Sequence, residues 1–291
     1  MRRFIIIVVS LVIPSLAAAG AALPNGYDRA GRGITAASII AFDQLSQPNQ
    51  PVRLAVRLVT GGLSFTRRPI SGERIEFLLK DRSLGQTLTG GDGMAVKSFT
   101  PSRPGLYLIT ARLVENPRYE AEPAELYVAC RKASDPILLI AISSVRTPSR
   151  PPAIPFSPAP SSEAMPEAAR MLAKLSERYQ LVYLETGDEV LGPETKDWLA
   201  REDFPPAPLF VWPLPAEAER RARRFAERLQ EIRDEGWRNI PAGITRSASD
   251  AEGLAGMKIT AIVMTEEDDD LELPKTVKKV TTWKGVPSLL K

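Results

Sequence analysis

Apolar and polar positions alternate with a period of two through the first half of the chain, then give way to continuous apolar runs and helical stripes. Val52, Leu54, Val56 and Leu58 are separated by Arg53, Ala55 and Arg57, and Ile75, Phe77 and Leu79 stand against Arg74, Glu76 and Lys80. Since a strand turns successive side chains to opposite faces, both stretches read as half-buried strands. Tyr107, Ile109, Ala111 and Leu113 make a third. Leu126, Val128 and Cys130 share one face of a fourth, which places the single cysteine in a core as a small, inert hydrophobe. Between the strands lie Thr60-Gly61-Gly62, Gly90-Gly91-Asp92-Gly93 and Pro104-Gly105, residues that supply positive or preset φ for tight turns. Asp92 is read as part of an Asp-Gly turn rather than as a calcium or ligand contact. Short strands joined by such turns predict a β-sandwich over residues 38–132.

From Ser134 the period changes. Ile137 to Ile142 is unbroken apolar sequence, the mark of a strand covered on both faces. Pro148, Pro151, Pro152, Pro155, Pro158 and Pro160 follow and exclude helix, so that stretch reads as an extended loop. Met165, Ala168, Leu172, Leu175 and Tyr179 form one helical stripe, and Leu181 to Leu184 a second buried strand. A short helix over Pro193 to Arg201, a third strand over Leu209 to Trp212, and a long helix over Ala216 to Glu235 come next. Its inward stripe is Ala218, Ala222, Phe225, Leu229 and Ile232. Ile240 to Ile244 and Ile259 to Met264 complete a parallel sheet of right-handed βαβ units over residues 134–291. The expected fold class is therefore multidomain, an all-β sandwich followed by an α/β domain.

Composition adds an address. A chain of 291 residues accommodates two domains, and 38 basic against 35 acidic residues is too balanced to call for nucleic acid. Met1-Arg2-Arg3, the apolar run Phe4 to Ile13 and the small residues Ala17 to Ala19 form a secretory signal over residues 1–21. Phe4 to Ala22 is just long enough to span a bilayer, and Pro14 with the small-residue tail favours cleavage over retention. The mature chain is expected in the periplasm or outside the cell, without stable membrane insertion. It has no histidine, which removes Ser-His-Asp and Cys-His catalysis and His-ligated metal sites. In the long helix Arg220, Arg221, Arg223, Arg224 and Arg228 alternate with Glu217, Glu219 and Glu227. They read as a solvated face laced with i,i+4 pairs. Glu266 to Asp270 reads as a solvated acidic loop without ligand spacing.

Two resemblances follow from these residues. Thr89-Gly90-Gly91-Asp92-Gly93-Met94-Ala95 and Pro104-Gly105-Leu106-Tyr107 resemble the turns of bacterial immunoglobulin-like domains. The second resemblance spans roughly residues 135–290. The order of first strand, long loop and helix, then Tyr183-Leu184-Glu185-Thr186-Gly187, Trp198-Leu199, the basic helix and Ile244 to Glu252, is similar to the haloacid-dehalogenase (HAD) superfamily. It is closest to the branch of lipin-type phosphatidate phosphatases and phosphatidylinositol-transfer-associated domains.

What that resemblance implies is a Rossmann-like sheet with its site beyond the carboxyl ends of the strands. There an aspartate nucleophile, an acid-base aspartate two residues on, and further carboxylates holding Mg2+ hydrolyse phosphate esters. The departures fall on those positions. Ala141 stands at the nucleophile, Ser143 at the acid-base position, and Glu185 at the second-motif threonine, with Thr186 one residue late. Thr245 and Arg246 stand at the glycine-aspartate pair, no lysine lies between Leu209 and Asn239, and Asp250 alone matches. Losing a nucleophile alone costs on the order of 10⁶ in turnover in a well-studied hydrolase. The expectation is a catalytically inactive domain without resident cofactor, acting as a binding or scaffolding module in the envelope. Ser143, Ser144, Thr186, Thr245, Arg246 and Ser247 line the crevice as candidates for holding a small anion, and an unidentified protein is the other partner. The alternative is an exported Mg2+-dependent phosphatase with an unorthodox site using Glu185 or Asp250.

Overall fold

Strands β1 (Thr35–Phe42), β2 (Gln44–Ser46) and β3 (Val52–Thr60) begin a run of nine strands that pair mostly antiparallel. It continues through β4 (Arg74–Leu79), β5 (Arg82–Leu88), β6 (Met94–Phe99), β7 (Gly105–Leu113), β8 (Tyr119–Glu120) and β9 (Ala124–Cys130). In this computed structural model the described residues are 33–61, 67–115, 117–147, 163–266 and 273–290. The secretory segment expected over residues 1–21, Gly62, the stretch from Pro148 to Ser162 and Glu267 to Asp270 lie outside them. The strands form two sheets, in the orders β6-β3-β1-β8 and β2-β9-β7-β4-β5. The first strand passes from one to the other, because β1 pairs with β3 and β2 runs parallel to β9. Leu54, Val56, Leu58, Ile75, Phe77, Ile109, Leu126 and Val128 meet in the core between the sheets, which is what the period-two pattern requires. Tyr107 closes the corner before β7, its hydroxyl donating to the Arg103 carbonyl at 2.8 Å, the tyrosine-corner device of immunoglobulin-like sandwiches. Asp92 makes the expected turn: its Oδ1 accepts from Met94 N at 3.0 Å, and Gly93 follows at φ +76°.

The second half is a parallel sheet built from β10 (Ile137–Ala141), β11 (Gln180–Thr186), β12 (Leu209–Trp212), β13 (Ala242–Thr245) and β14 (Thr260–Met264). A sixth strand, β15 (Lys278–Val280), extends it beyond the last one read from the sequence. The order is β12-β11-β10-β13-β14-β15, so the direction of winding reverses between β10 and β13. Helices cover both faces, which explains the unbroken apolar run of β10. Leu138 and Ile140 face a cluster containing α2 (Ala168–Ser176) and α3 (Leu191–Arg201). Ile137 and Leu139 face one containing α4 (Ala218–Asp234) and α5 (Ala248–Gly256). A single turn, α1 (Ile142–Val145), follows β10, and Trp283 is buried under it with Nε1 donating to the Ser144 carbonyl at 3.0 Å.

Helix α5 follows β13 almost directly. Ser247 caps it, accepting from Asp250 N at 3.2 Å, so only Arg246 and Ser247 remain between strand and helix. Leu45 and Ala129 of the sandwich share the second apolar cluster with Trp237 and Ile240, so the packed unit Thr35–Lys291 includes both halves. Among the described residues no helix is long and apolar enough to cross a membrane.

Candidate functional site

The carboxyl ends of β10, β11 and β13 meet where the winding reverses, and the side chains placed there are committed to one another. Asp250, 2% exposed, receives both arms of Arg221: Nε to Oδ1 at 2.6 Å and Nη2 to Oδ2 at 2.9 Å. The same Nη2 donates to Thr186 Oγ1 at 3.1 Å. Thr245 Oγ1 lies 3.4 Å from Asp250 Oδ2 and accepts from Ser247 N at 3.0 Å. A bidentate guanidinium-carboxylate pair with hydroxyls around it satisfies nearly every polar atom that reaches the crevice floor. Glu185 is held separately. Its Oε2 accepts from Thr195 Oγ1 at 3.0 Å and from Arg146 at 3.3 Å, and Oε1 accepts from Thr186 N at 3.0 Å. Arg146 stacks 4.5 Å above the Trp198 ring, and its buried Nε has no acceptor among the described residues.

The six anion candidates therefore do not converge on one free space. Ser143 is exposed, whereas Ser144 is buried with its hydroxyl donating to the Ala141 carbonyl at 2.7 Å. Thr186, Thr245 and Ser247 surround the Arg221–Asp250 pair. Arg246 turns away to Glu266 at 3.1 Å and to Met165 Sδ at 3.8 Å. Among the described residues no group of three or more acidic or cysteine side chains is placed to hold a metal ion.

The solvated-face reading of the arginines is corrected for Arg221, whose side chain is only 18% exposed. It stands three residues after Ala218 and four before Phe225, on the inward side of α4, a position the sequence displayed. Arg220, Arg224 and Arg228 do pair with exposed glutamates on their own helix.

A second site lies at the junction of the two halves, where sequence gave no pointer. Asp43, in the step between β1 and β2, has a fully buried side chain. It accepts from Lys196 Nζ of α3 at 2.6 Å, from Leu209 N of β12 at 2.8 Å and from Tyr127 N of β9 at 2.8 Å. Burial pushes its carboxyl up, against the pull of Lys196 and the two backbone donors. Beside it opens a cleft of about 640 Å3 between residues 41–45 of the sandwich, the edge strand β12, and helices α3 and α4. Arg57 reaches over the Phe42 ring to pair with Glu189 across this cleft. Glu235 is solvent-exposed, and crowding by the surrounding protein together with Glu231 pushes its carboxyl up.

No protein-family model matches the chain, and no curated protein does. Solved structures give slight likenesses. The fibronectin(III)-like modules of Clostridium thermocellum CbhA are 9% identical at a TM-score of 0.25, over 34% of this chain and 48% of that one. A CARDB domain from Pyrococcus furiosus is 12% identical at 0.22, over 33% and 95%. A family 123 glycoside hydrolase from Clostridium perfringens is 7% identical at 0.20, over 80% and 60%. At such scores none carries an argument about activity here.

Proposed function

We propose that this chain is an exported, catalytically silent HAD-like protein whose immunoglobulin-like sandwich and α/β domain together form a binding or scaffolding module of the cell envelope. The observation that supports silence is the Arg221 guanidinium seated on Asp250. Phosphoryl hydrolysis of this type needs a carboxylate free to hold Mg2+ and an aspartate to attack phosphorus. Here the one acid matching the pattern is neutralised by a cation of the chain itself, and Ala141 offers no nucleophile. Proteins keep the fold of a hydrolase while their sites change use, so fold alone argues no activity.

The test is hydrolysis of p-nitrophenyl phosphate by the purified chain in Mg2+, Mn2+ and Ca2+, beside an Asp250→Ala variant. No turnover above buffer is expected with any metal. Metal-dependent turnover that disappears in Asp250→Ala overturns the reading and establishes the unorthodox phosphatase.

A further inference from the structure

Strand β12 is the last strand on its side of the six-stranded sheet, and one of its long edges faces the junction cleft. Its register fixes which peptide groups point there. Tyr183 N donates to Pro208 O and Gly187 N to Trp212 O, with Tyr183 opposite Leu209 and Glu185 opposite Val211. A parallel ladder uses the peptide groups of alternate residues, so Leu209 and Val211 turn theirs away from β11. The outward N–H of Leu209 is taken by Asp43. The N–H of Val211 and the carbonyls of Leu209 and Val211 have no partner among the described residues. A row of open main-chain donors and acceptors at a sheet edge is a template for another strand.

We propose that the junction cleft binds an extended, cationic peptide segment, which adds to the free edge of β12 by main-chain pairing. The inference goes beyond the silent-crevice reading and does not depend on it. Charge decides the class of occupant. Asp43, Asp188, Glu189, Glu231 and Glu235 line the cleft against Arg57, Lys196 and Arg228. Three pairs, Asp43–Lys196, Glu189–Arg57 and Glu231–Arg228, cancel within the chain and leave Asp188 and Glu235 without a counter-ion among the described residues. Phe42 and Phe210, both partly exposed, provide apolar seats for side chains that alternate along a docked strand. Main-chain pairing supplies affinity in this mode, and the two acids select lysine or arginine beside it.

The experiment uses the full chain and a capped hexapeptide alternating lysine and valine as probe, with a glutamate-valine hexapeptide as its charge-reversed control. Titration is followed by calorimetry and by hydrogen exchange at the Val211 amide. The lysine peptide is expected to saturate, to slow exchange at Val211 and to weaken as salt rises, while the glutamate peptide does not bind. Val211→Pro removes the outward N–H at an edge position that tolerates proline, and is expected to weaken binding about three- to tenfold, the effect of one net hydrogen bond. Glu235→Lys tests the charge without touching the strand and is expected to weaken binding by a similar factor. Absence of saturation at millimolar lysine peptide overturns the proposal. So does binding that leaves Val211 exchange unchanged, or equal binding of the glutamate peptide. Should Val211→Pro fail to fold, Glu235→Lys and the exchange measurement on the unmodified chain decide.

Discussion

Replacing Asp43 with alanine removes the one acceptor shared by three donors from three elements: Lys196 on α3, Tyr127 N on β9 and Leu209 N on β12. Lys196 is only 16% exposed, so its ammonium is left largely desolvated without a counter-charge. Removing one partner of a buried pair costs about 3–5 kcal/mol, most of it the penalty on the charge left behind. For a unit of this size about 1 kcal/mol shifts Tm by about 2–4 °C, so melting is expected to fall by about 6–20 °C. Urea unfolding of Asp43→Ala, Lys196→Met and the double variant measures the coupling. Because the double variant no longer strands an ammonium, it is expected to be more stable than Asp43→Ala alone. A loss below about 1 kcal/mol in Asp43→Ala, or a double variant no better than the single one, refutes the account of Asp43 as the junction's ionic anchor.

Three further outcomes follow from the same geometry. Arg221→Met strands the buried Asp250 carboxylate and is expected to cost about 3–5 kcal/mol in urea unfolding, whereas Arg220→Met, on an exposed pair, changes stability by no more than about 0.5 kcal/mol. Ser83 and Arg112 hold the Glu76 carboxyl below its ordinary value of 4.5, so its charge contributes stability that is present above that value and lost as pH falls through the lower native one; carboxyl NMR titration should find Glu76 shifted down, and shifted back up in Ser83→Ala. Gly93→Ala places a Cβ 2.5 Å from the Leu58 carbonyl at a φ of +76° and should destabilise by more than about 1 kcal/mol, while Gly91→Ala, which meets open space, should leave thermal melting unchanged.

The crevice and the junction cleft differ in how their polar groups are paired. Paired and desolvated charges fix geometry, as Arg221 and Asp250 do where the winding of the sheet reverses. At the junction cleft the Val211 N–H has no partner, and Asp188 and Glu235 no counter-ion, among the described residues.

What the sequence determined by itself was the period of each segment, hence which faces are buried. Val52 to Leu58 could lie only on a one-sided strand and Ile137 to Ala141 only on one covered twice. The two apolar clusters divide the latter, Leu138 and Ile140 to one and Ile137 and Leu139 to the other. The tyrosine corner was legible in Pro104-Gly105-Leu106-Tyr107, because its bond spans four residues. Even α5 was signalled locally, by Ser247 three residues ahead of Asp250. Only the tertiary structure decided which charges meet. Arg221 and Asp250 are 29 residues apart and Asp43 and Lys196 are 153 apart. Periodicity assigns a side chain to a face but carries no information about the register of one element against another. A carboxylate's partner, and with it the choice between a site that is sealed and one that is open, depends on that register to within a hydrogen-bond length.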